Sequence, residues 1–352
     1  MNKEKPIENK RVLVTGGTGS LGKVLVKRLL SGELGMPQKV IVFSRDEAKQ
    51  HAMRIAYQQK QAATDEIIYR DYAQLLDFFI GDVRDFNSIA AVLCDVDIVF
   101  NAAALKQVPT CEYHPFEAVQ TNIYGAENIV RAIRQHHLPV ETVVGISTDK
   151  ACKPVNVMGM TKAIQERILL SANLTCTKTR FVYVRYGNVL ASRGSVIPLF
   201  HDQIKQAGPV TITTTDMTRF LMSLDQSVDT IFSALQEANK GEIYIPKVPA
   251  AKVTDLADVL IDSRPIDVQV TGIRPGEKIH EILVSEEEAN RTISRGKYYV
   301  ILPLLPELRM PAQDQEPLTK EYSSADSIAG KAEVEDLLRR HQLLIEDNPV
   351  FT

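Results

Sequence analysis

The segment Gly16-Gly-Thr-Gly-Ser-Leu-Gly22 constrains this chain more than any other stretch of it. It follows directly on the β-branched run Arg11-Val-Leu-Val-Thr15 and opens an amphipathic stretch in which Val24, Leu25, Leu29 and Leu30 recur at helical spacing. A strand can reverse this tightly into a helix, with its amides close to an anion, only where no Cβ intrudes, and Gly16, Gly19 and Gly22 meet that condition. The helix that starts there adds aligned N–H groups and partial positive charge. A glycine triplet alone is a weak signal. The strand before it, the helix after it and the alternation beyond raise a dinucleotide-binding turn above an ordinary Gly-rich loop.

That alternation runs through the first half of the chain. Lys39-Val-Ile-Val-Phe43, Phe78-Phe-Ile80, Asp97-Ile-Val-Phe100, Thr142-Val-Val-Gly-Ile146 and Phe181-Val-Tyr-Val184 read as strands, with helices over 115–135 and 157–170 between them. Most of these strands are apolar throughout, as strands covered on both faces are. After Tyr186-Gly-Asn188 the pattern loosens. Gly194, Pro198, Gly208 and Pro209 punctuate it, and Val210-Thr-Ile-Thr-Thr-Thr215 is polar and β-rich. A helix over 225–239 and the strand Glu242-Ile-Tyr-Ile245 return to the sheet. Residues 305–319 are Pro-rich and irregular, and a closing helix spans 327–344 with Ser327 as its cap. The expected fold is α/β: a Rossmann-type doubly wound parallel sheet with a smaller C-terminal α/β lobe. Residues 1–188 make the dinucleotide-binding domain, 220–247 return to it, and 189–219 with 248–352 make the second lobe and C-terminal tail.

Composition works mainly by exclusion. Lys plus Arg number 41 against 44 Asp plus Glu, a formal net charge of −3, so no global field draws the chain to nucleic acid or to an anionic membrane. The N-terminal MNKEKPIENK has no apolar signal core, no run is long enough to span a bilayer, and the mean hydropathy is −0.10. The four cysteines (Cys94, Cys111, Cys152 and Cys176) are scattered without a CxxC pair, which argues against a zinc site and a disulfide framework. A cytoplasmic protein without a metal is expected.

The end of the second strand bears on the choice of dinucleotide. An acidic side chain there would bond the ribose 2′-hydroxyl of NAD, whereas a guanidinium suits the 2′-phosphate of NADP and stacks on adenine. This chain has Ser44-Arg45-Asp46, and Arg45 favours NADP, with NAD as the alternative because Asp46 either contacts a ribose or caps the next helix. Asp82, just past the third strand, either accepts from the adenine amino group or forms a turn.

Further motifs follow in order: Asn101-Ala-Ala-Ala, Ala104-Leu-Lys-Gln-Val-Pro109, Ser147-Thr-Asp-Lys150, Lys162 on a helix, Tyr186-Gly-Asn188, Ser192-Arg-Gly-Ser195, Thr218-Arg-Phe220 and Arg274-Pro-Gly-Glu-Lys278. With the glycine turn and Phe43-Ser-Arg-Asp46, they make the chain resemble the extended short-chain dehydrogenases/reductases. Within that superfamily it is most similar to the nucleotide-sugar 4,6-dehydratases that act on UDP-N-acetylglucosamine in bacterial surface-glycan and flagellin-sugar pathways. The resemblance runs from residue 10 to residue 300.

It implies a reaction without net redox. The C4 hydroxyl is oxidised by hydride transfer to NADP⁺, the new ketone acidifies the C5 proton, a base removes that proton while an acid helps the C6 hydroxyl leave, and the hydride returns to C6. The resemblance makes Thr148 the anchor of the C4 oxygen, Asp149 the acid at C6, Lys150 the base at C5 and Lys162 the cation beneath the nicotinamide ribose. As a base, Lys150 needs a neutral amine, and desolvation together with the nearby Lys162 is expected to lower its pKa. Asp149 and Lys150 share a site only if the chain has left the sheet by then, because successive strand residues point to opposite faces. Cofactor contacts are implied for Gly16, Thr18, Gly19, Ser20, Leu21, Gly22, Ser44, Arg45, Asp82, Val83, Ala102, Ala103 and Lys162.

Lys162 lies four residues after Met158 on one helix face, where the wider superfamily carries Tyr-x-x-x-Lys. A thioether transfers no proton at neutral pH, so another group, Asp149 or a water, takes that role, while Met158 packs near the sugar. A subset of the dehydratases carries the same methionine. On the substrate side Lys106, Asn188, Arg193, Arg219 and Arg274 are expected around the sugar and diphosphate, with Glu277 on a ribose hydroxyl. Cys111 is expected as a small apolar filler. The leading reading is a UDP-N-acetylglucosamine 4,6-dehydratase acting on a UDP-sugar as a homo-oligomer, dimer or hexamer. The alternatives are a UDP-sugar 4-epimerase, a GDP-linked substrate, or a non-catalytic NADP-binding protein.

Overall fold

The computed structural model describes residues 5–62, 72–192, 194–310, 316–349 and 351. Its strands are β1 (Arg11–Thr15), β2 (Lys39–Ser44), β3 (Leu76–Ile80), β4 (Ile98–Asn101), β5 (Thr142–Thr148), β6 (Arg180–Tyr186), β7 (Val210–Ile212) and β8 (Thr218–Phe220), followed by β9 (Ile243–Pro246), β10 (Ala250–Lys252), β11 (Val268–Val270), β12 (Ile282–Val284), β13 (Thr292–Arg295), β14 (Tyr298–Ile301) and β15 (Tyr322–Ser323). The helices are α1 (Ser20–Ser31), α2 (Glu47–Ala62), α3 (Tyr72–Leu75), α4 (Phe86–Leu93), α5 (Val108–Tyr113), α6 (Pro115–Ala118), α7 (Gly125–His136), α8 (Val157–Thr175), α9 (Val196–Lys205), α10 (Leu224–Glu237), α11 (Val253–Ile261), α12 (Glu286–Ala289) and α13 (Lys331–Arg340).

Nine strands form the central sheet in the order β13-β14-β9-β6-β5-β4-β1-β2-β3. From β3 to β9 every neighbouring pair is parallel, with Val12 opposite both Val40 and Ile98. Val12, Leu13, Val14, Val40, Val42, Ile98, Val99 and Phe100 are all fully buried, which is why these strands read as unbroken apolar runs. The chain enters at β1, travels outward to β3, then crosses back to β4 on the other side of β1. That reversal opens a crevice outside the carboxyl ends of β1 and β4, where α/β sheets of this kind hold ligands.

A second core lies under α9, α11 and α13, where Ile197, Phe200, Leu256, Leu260, Val334 and Leu338 pack together. Residues 292–301, assigned from sequence to the second lobe, form β13 and β14 and extend the central sheet by two antiparallel strands. Within residues 220–247, α10 precedes β9, which pairs with β6 and β14 in the central sheet. Two local expectations need correction. Helix α13 starts from Gly330, not Ser327, because residues 327–329 pair with Ala250 instead: Ala250 N donates to Ser327 O, and Ala329 N donates to Ala250 O. The helix expected over 115–135 is also not uniform, since a π-helical turn (Val119–Tyr124) joins α6 to α7. Among the described residues no helix is long and apolar enough to cross a membrane.

Candidate active site

The glycine turn forms as its sterics require. Gly16 adopts φ +67, in the left-handed region, and a Cβ there would stand 2.9 Å from Ala103 Cα. A Cβ on Gly22 would stand 2.5 Å from Gly16 O, so the third glycine lets α1 sit directly on the turn. Thr15 Oγ1 donates to Asn101 Oδ1 (2.9 Å) and accepts from Ala103 N (3.2 Å), which pins the ends of β1 and β4 together around the crevice. No acidic side chain occupies the first turn of α1, so nothing there competes with an anion for the helix N-terminus. Asn101 Nδ2 and Ser147 Oγ, at the carboxyl ends of β4 and β5, are buried without a partner among the described residues. A glycine cradle, a clear helix terminus and unsatisfied polar atoms beside it fit a dinucleotide.

Thr18 is buried in this turn, Ser20 and Leu21 open α1, and Ala102 and Ala103 follow β4. Ser44 accepts from Gln50 Nε2 through both its carbonyl (3.0 Å) and its hydroxyl (3.2 Å). Asp46 resolves as a cap. Its Oδ1 accepts from Lys49 N at 3.0 Å and its Oδ2 pairs with Lys49 Nζ at 2.5 Å, at the start of α2. Arg45 is exposed, with Asp82 at 3.6 Å. Asp82 has the geometry of a turn-forming residue, since Oδ1 accepts from Arg84 N two residues on (3.0 Å) while Oδ2 accepts from Arg84 Nε (2.9 Å). Partial burial opposes its charge, but the Arg84 and Arg45 guanidiniums outweigh that and hold the carboxyl below its ordinary range. Val83 packs below, under Gly125 and Asn128.

The catalytic turn follows β5. The strand ends at Thr148 and residues Asp149–Ala151 form a single 3₁₀ turn, so the side chains of Asp149 and Lys150 do come to one place. Thr148 Oγ1 donates to Asp149 Oδ1 (2.8 Å), and Lys150 Nζ donates to the same oxygen (3.1 Å). Asp149 is fully buried, and its Oδ2 has no partner among the described residues. Gly187, just before Asn188, comes close to that oxygen: a Cβ on it would lie 3.4 Å away. Asn188 itself holds a buried amide oxygen without a partner among the described residues.

The expected titration of Lys150 is reversed. Burial works against its charge, but the Asp149 and Glu281 carboxylates outweigh burial and hold the amine above its ordinary value, with Arg219 pulling the other way. Lys162 is the lowered lysine. Burial brings it down to about 8, with Glu166 opposing, and its Nζ donates to Ile146 O (2.5 Å) and to Gln165 Oε1. The neighbour supposed to depress Lys150 is thus itself the depressed group, because Lys162 is walled in by neutral acceptors while Lys150 sits between two carboxylates.

Met158 is buried against Cys111 and Ala118, an apolar patch that Leu105, Val108 and Val157 complete, so both residues act as packing. One residue on, Gly159 admits the catalytic turn onto α8: a Cβ there would stand 2.1 Å from Lys150 O. Across this patch Asn122 of the π-helical turn accepts from Leu105 N (2.9 Å) and donates to Thr161 Oγ1 (3.0 Å), tying α8 to the Leu105 segment. Sequence periodicity carried no sign of this residue.

Further contacts come from the segment just before β12. Glu281 lies 3.4 Å from Lys150 Nζ, and Lys278 Nζ donates to Cys152 O at 2.5 Å. Neither residue was singled out from sequence, although Lys278 closes the Arg274-Pro-Gly-Glu-Lys278 motif. Arg219 departs from its expected role as a diphosphate ligand. It is buried, and its guanidinium donates to Thr218 O (2.7 Å), Ile279 O (3.1 Å) and Lys278 O (3.1 Å), so it braces the Lys278–Glu281 segment. Arg274 is exposed, Glu277 accepts from Thr213 Oγ1 (3.3 Å), and Lys106 is exposed beyond β4. Arg193 lies outside the described residues, but Gly194 beside it leans on Gln107, where a Cβ would meet Nε2 at 2.8 Å. Among the described residues no cluster of His, Cys, Asp or Glu is arranged to hold a metal ion.

Comparison with known proteins places this geometry. Residues 12–303 match the family model described as polysaccharide biosynthesis protein. A protein of Rickettsia bellii (strain OSU 85-389) named UDP-glucose 4-epimerase is 46% identical over 298 residues, covering 83% of each chain. A protein of Campylobacter jejuni named UDP-N-acetylglucosamine 4,6-dehydratase (inverting) is 42% identical over 297 residues, covering 84% of this chain and 83% of the relative. Among solved structures, that of Pen from Bacillus thuringiensis superposes with a TM-score of 0.84 at 34% identity, covering 96% of this chain and 99% of that one.

Proposed function

The chain belongs to the polysaccharide biosynthesis protein family, and from that membership we propose that it is a lyase of the UDP-N-acetylglucosamine 4,6-dehydratase type. It is a nucleotide-sugar enzyme of the dehydratase and epimerase group of short-chain dehydrogenases/reductases and works with a nicotinamide cofactor. The observation that carries the dehydratase reading is the turn after β5, where one hydroxyl and one amine both donate to the same carboxylate oxygen.

A bound nicotinamide would accept a hydride from C4 and return it to C6. Gly16, Gly19, Gly22 and the first turn of α1 would hold its pyrophosphate, and Lys162 would meet its ribose. Thr148 anchors the C4 oxygen, and because Met158 transfers no proton, the C4 hydroxyl proton passes through Thr148 Oγ1 to Asp149. Lys150 then takes the C5 proton, the C6–O bond breaks, and the departing oxygen takes its proton from Asp149 and leaves as water. Hydride addition at C6 is balanced by a proton from solvent at C5, and Lys150 releases the proton it took to solvent, so the C4 proton leaves in the water and both residues end as they began. Lys106, Asn188, Arg274 and Glu277 surround the nucleotide sugar.

The relatives named 4-epimerase support a second reading on the same fold. An epimerase removes no C6 oxygen and has no use for an acid and a base in one turn, so Asp149 and Lys150 favour elimination. Proton NMR in D₂O with UDP-N-acetylglucosamine and a catalytic amount of NADP⁺ decides between them. A new C6 methyl signal, deuterium at C5 and no accumulation of reduced cofactor are expected, and the ring couplings report the C5 configuration. An unchanged methyl region with UDP-N-acetylgalactosamine appearing would establish the epimerase instead.

NADP is the proposed cofactor, on the ground that Asp46 is engaged as a cap and Arg45 is exposed beside it. Arg45→Ala is expected to weaken NADP binding about tenfold or more while leaving NAD nearly unchanged, since a charge-assisted contact is worth about 1.5–3 kcal/mol. Fluorescence titration of both cofactors reads this, and equal losses would remove Arg45 from the 2′-phosphate. A homo-oligomer is also proposed. Tyr113, Phe116 and Tyr124 stay 84%, 63% and 52% exposed around α5 and α6, more apolar area than an isolated surface favours. Sedimentation should show a species larger than 39.2 kDa that Tyr113→Asp with Phe116→Asp reduces to the monomer.

A further inference from the structure

Glu281 is an acidic side chain that burial should penalise. It is 3% exposed, and its Oε2 is buried with no partner among the described residues. Its backbone is held from both directions, N donating to Ser324 Oγ (2.9 Å) and O accepting from Ser324 N (2.8 Å), so the carboxylate does not swing into solvent. What it meets is the amine of Lys150, at 3.4 Å from Oε1, with Arg219 Nε at 3.9 Å from the same oxygen. A buried carboxylate at this distance from an ammonium stabilises the charged pair in a way that a solvated surface pair does not. The groups that face Lys150 are therefore Asp149 on its own turn, Glu281 and Lys278 from the segment before β12, and Arg219 from β8.

We infer that Glu281 is a positioning residue that holds the amine of Lys150 from the second lobe, so that the loop carrying Arg274 and Glu277 also sets where, and in which charge state, the base waits. This rests on Lys150 being the C5 base. The segment from Arg274 to Glu281 is continuous: Glu277 N donates to Arg274 O, Asn156 Nδ2 donates to Gly276 O (2.7 Å) just before α8, and Arg219 grips Lys278 and Ile279 through their carbonyls. A nucleotide sugar held by this loop is thus in register with Lys150 through one short, braced piece of backbone. The cost is that Lys150 rests as an ammonium. It must lose a proton before it takes one from C5, and the fraction that has done so rises with pH.

Glu281→Gln keeps the shape and removes the charge. Acetylation of Lys150 by acetic anhydride, followed by peptide mass spectrometry across a pH series, reads the titration of the amine without any turnover. The half-point in Glu281→Gln is expected about 1 pH unit or more below that of the unaltered protein, as for the loss of an adjacent opposite charge. The rising limb of kcat against pH with UDP-N-acetylglucosamine should move down by the same amount, with KM changed less than about threefold, and Glu281→Asp should restore part of both shifts. A uniform loss of kcat at every pH, with the labelling curve unmoved, would mean that Glu281 only braces the loop and would overturn the inference. Should the unaltered protein eliminate no water, the reading of Lys150 as a base falls, while the labelling curves still decide whether Glu281 governs its charge.

Discussion

Asp149→Asn is expected to lower kcat for elimination from UDP-N-acetylglucosamine by roughly 10²–10⁴-fold, the range that a positioned proton-transfer group contributes. The amide keeps the size of the side chain and can still accept from Thr148, but it takes up no proton from C4 and delivers none to the C6 oxygen. Lys150→Met should cost a similar factor through a different step, and the two variants are separable. With Lys150→Met, oxidation at C4 proceeds and reduced cofactor accumulates in a single turnover, while deuterium from solvent fails to enter C5. With Asp149→Asn, oxidation at C4 is itself slowed, because the hydroxyl proton has lost its acceptor. The double variant should be little worse than either single one, since residues acting as a unit do not add. Both proteins should stay folded. Removing the carboxylate at 149 leaves Lys150 with Glu281 at 3.4 Å, and removing the amine leaves Asp149 the Thr148 hydroxyl. Turnover within about threefold of the unaltered enzyme in Asp149→Asn would sink the assignment.

The largest effect on stability is expected away from the chemistry, at Arg185. This side chain is fully enclosed. Its guanidinium donates to Glu166 (3.1 and 2.6 Å), to Glu288 (2.7 and 3.0 Å) and to Leu283 O (2.9 Å), so one cation bonds two buried carboxylates, from α8 and α12, and the middle of β12. Arg185→Met would leave Glu166 buried without its cation and Glu288 with only Arg291 at 3.6 Å, which costs about 3–5 kcal/mol, and Tm should fall by about 5–10 °C. The pH dependence should change sign as well. Burial opposes the charge of Glu288, and Arg185 overcomes it, holding the carboxyl down to about 2 from an ordinary 4.5. A depressed acid contributes stability that is fully present above the unfolded value and is lost as pH falls from 4.5 toward 2. Without the guanidinium, burial raises the Glu288 carboxyl against only Arg291 at 3.6 Å, and the variant should become more stable as pH drops from 7 to 5. Denaturant melts at both pH values test this. Combining Arg185→Met with Glu166→Gln and Glu288→Gln should recover much of the loss, since an uncharged network no longer buries unpaired charge. A loss under about 1 kcal/mol, with the pH slope unchanged, would show that the network holds nothing.

These two sites divide differently between sequence and structure. The turn Thr148-Asp149-Lys150 was legible because its members are neighbours in the chain, and the only question left open was whether the strand ended in time to bring both side chains to one side. It does, at Thr148. The ion cluster of Arg185 could not be foreseen, since Glu166 and Glu288 reach it from elements far apart in sequence. The same limit explains Lys150. Desolvation, the local part of its environment, was anticipated with the right sign, whereas the carboxylate of Glu281 arrives from far along the chain and, together with Asp149, outweighs it. Asp46 and Asp82 each had two readings on spacing alone, and in both cases a backbone amide two or three residues on bonds the carboxylate as a cap or a turn does.

By itself the sequence determined the elements whose causes are local. The glycine turn follows from steric exclusion of Cβ, the doubly covered strands from unbroken apolar runs, and the candidate catalytic turn and the missing phenol from residue identity at fixed spacing. Only the tertiary structure decided what depends on distant partners. It bent residues 327–329 into pairing with Ala250, inserted a π-helical turn that aims Asn122 at Leu105 and Thr161, and turned Arg219 inward as a brace. It also set which lysine is held charged. The physical reason is the same in each case: strand pairing and charge act through space in a medium of low dielectric, and the partners that decide them are chosen by the fold.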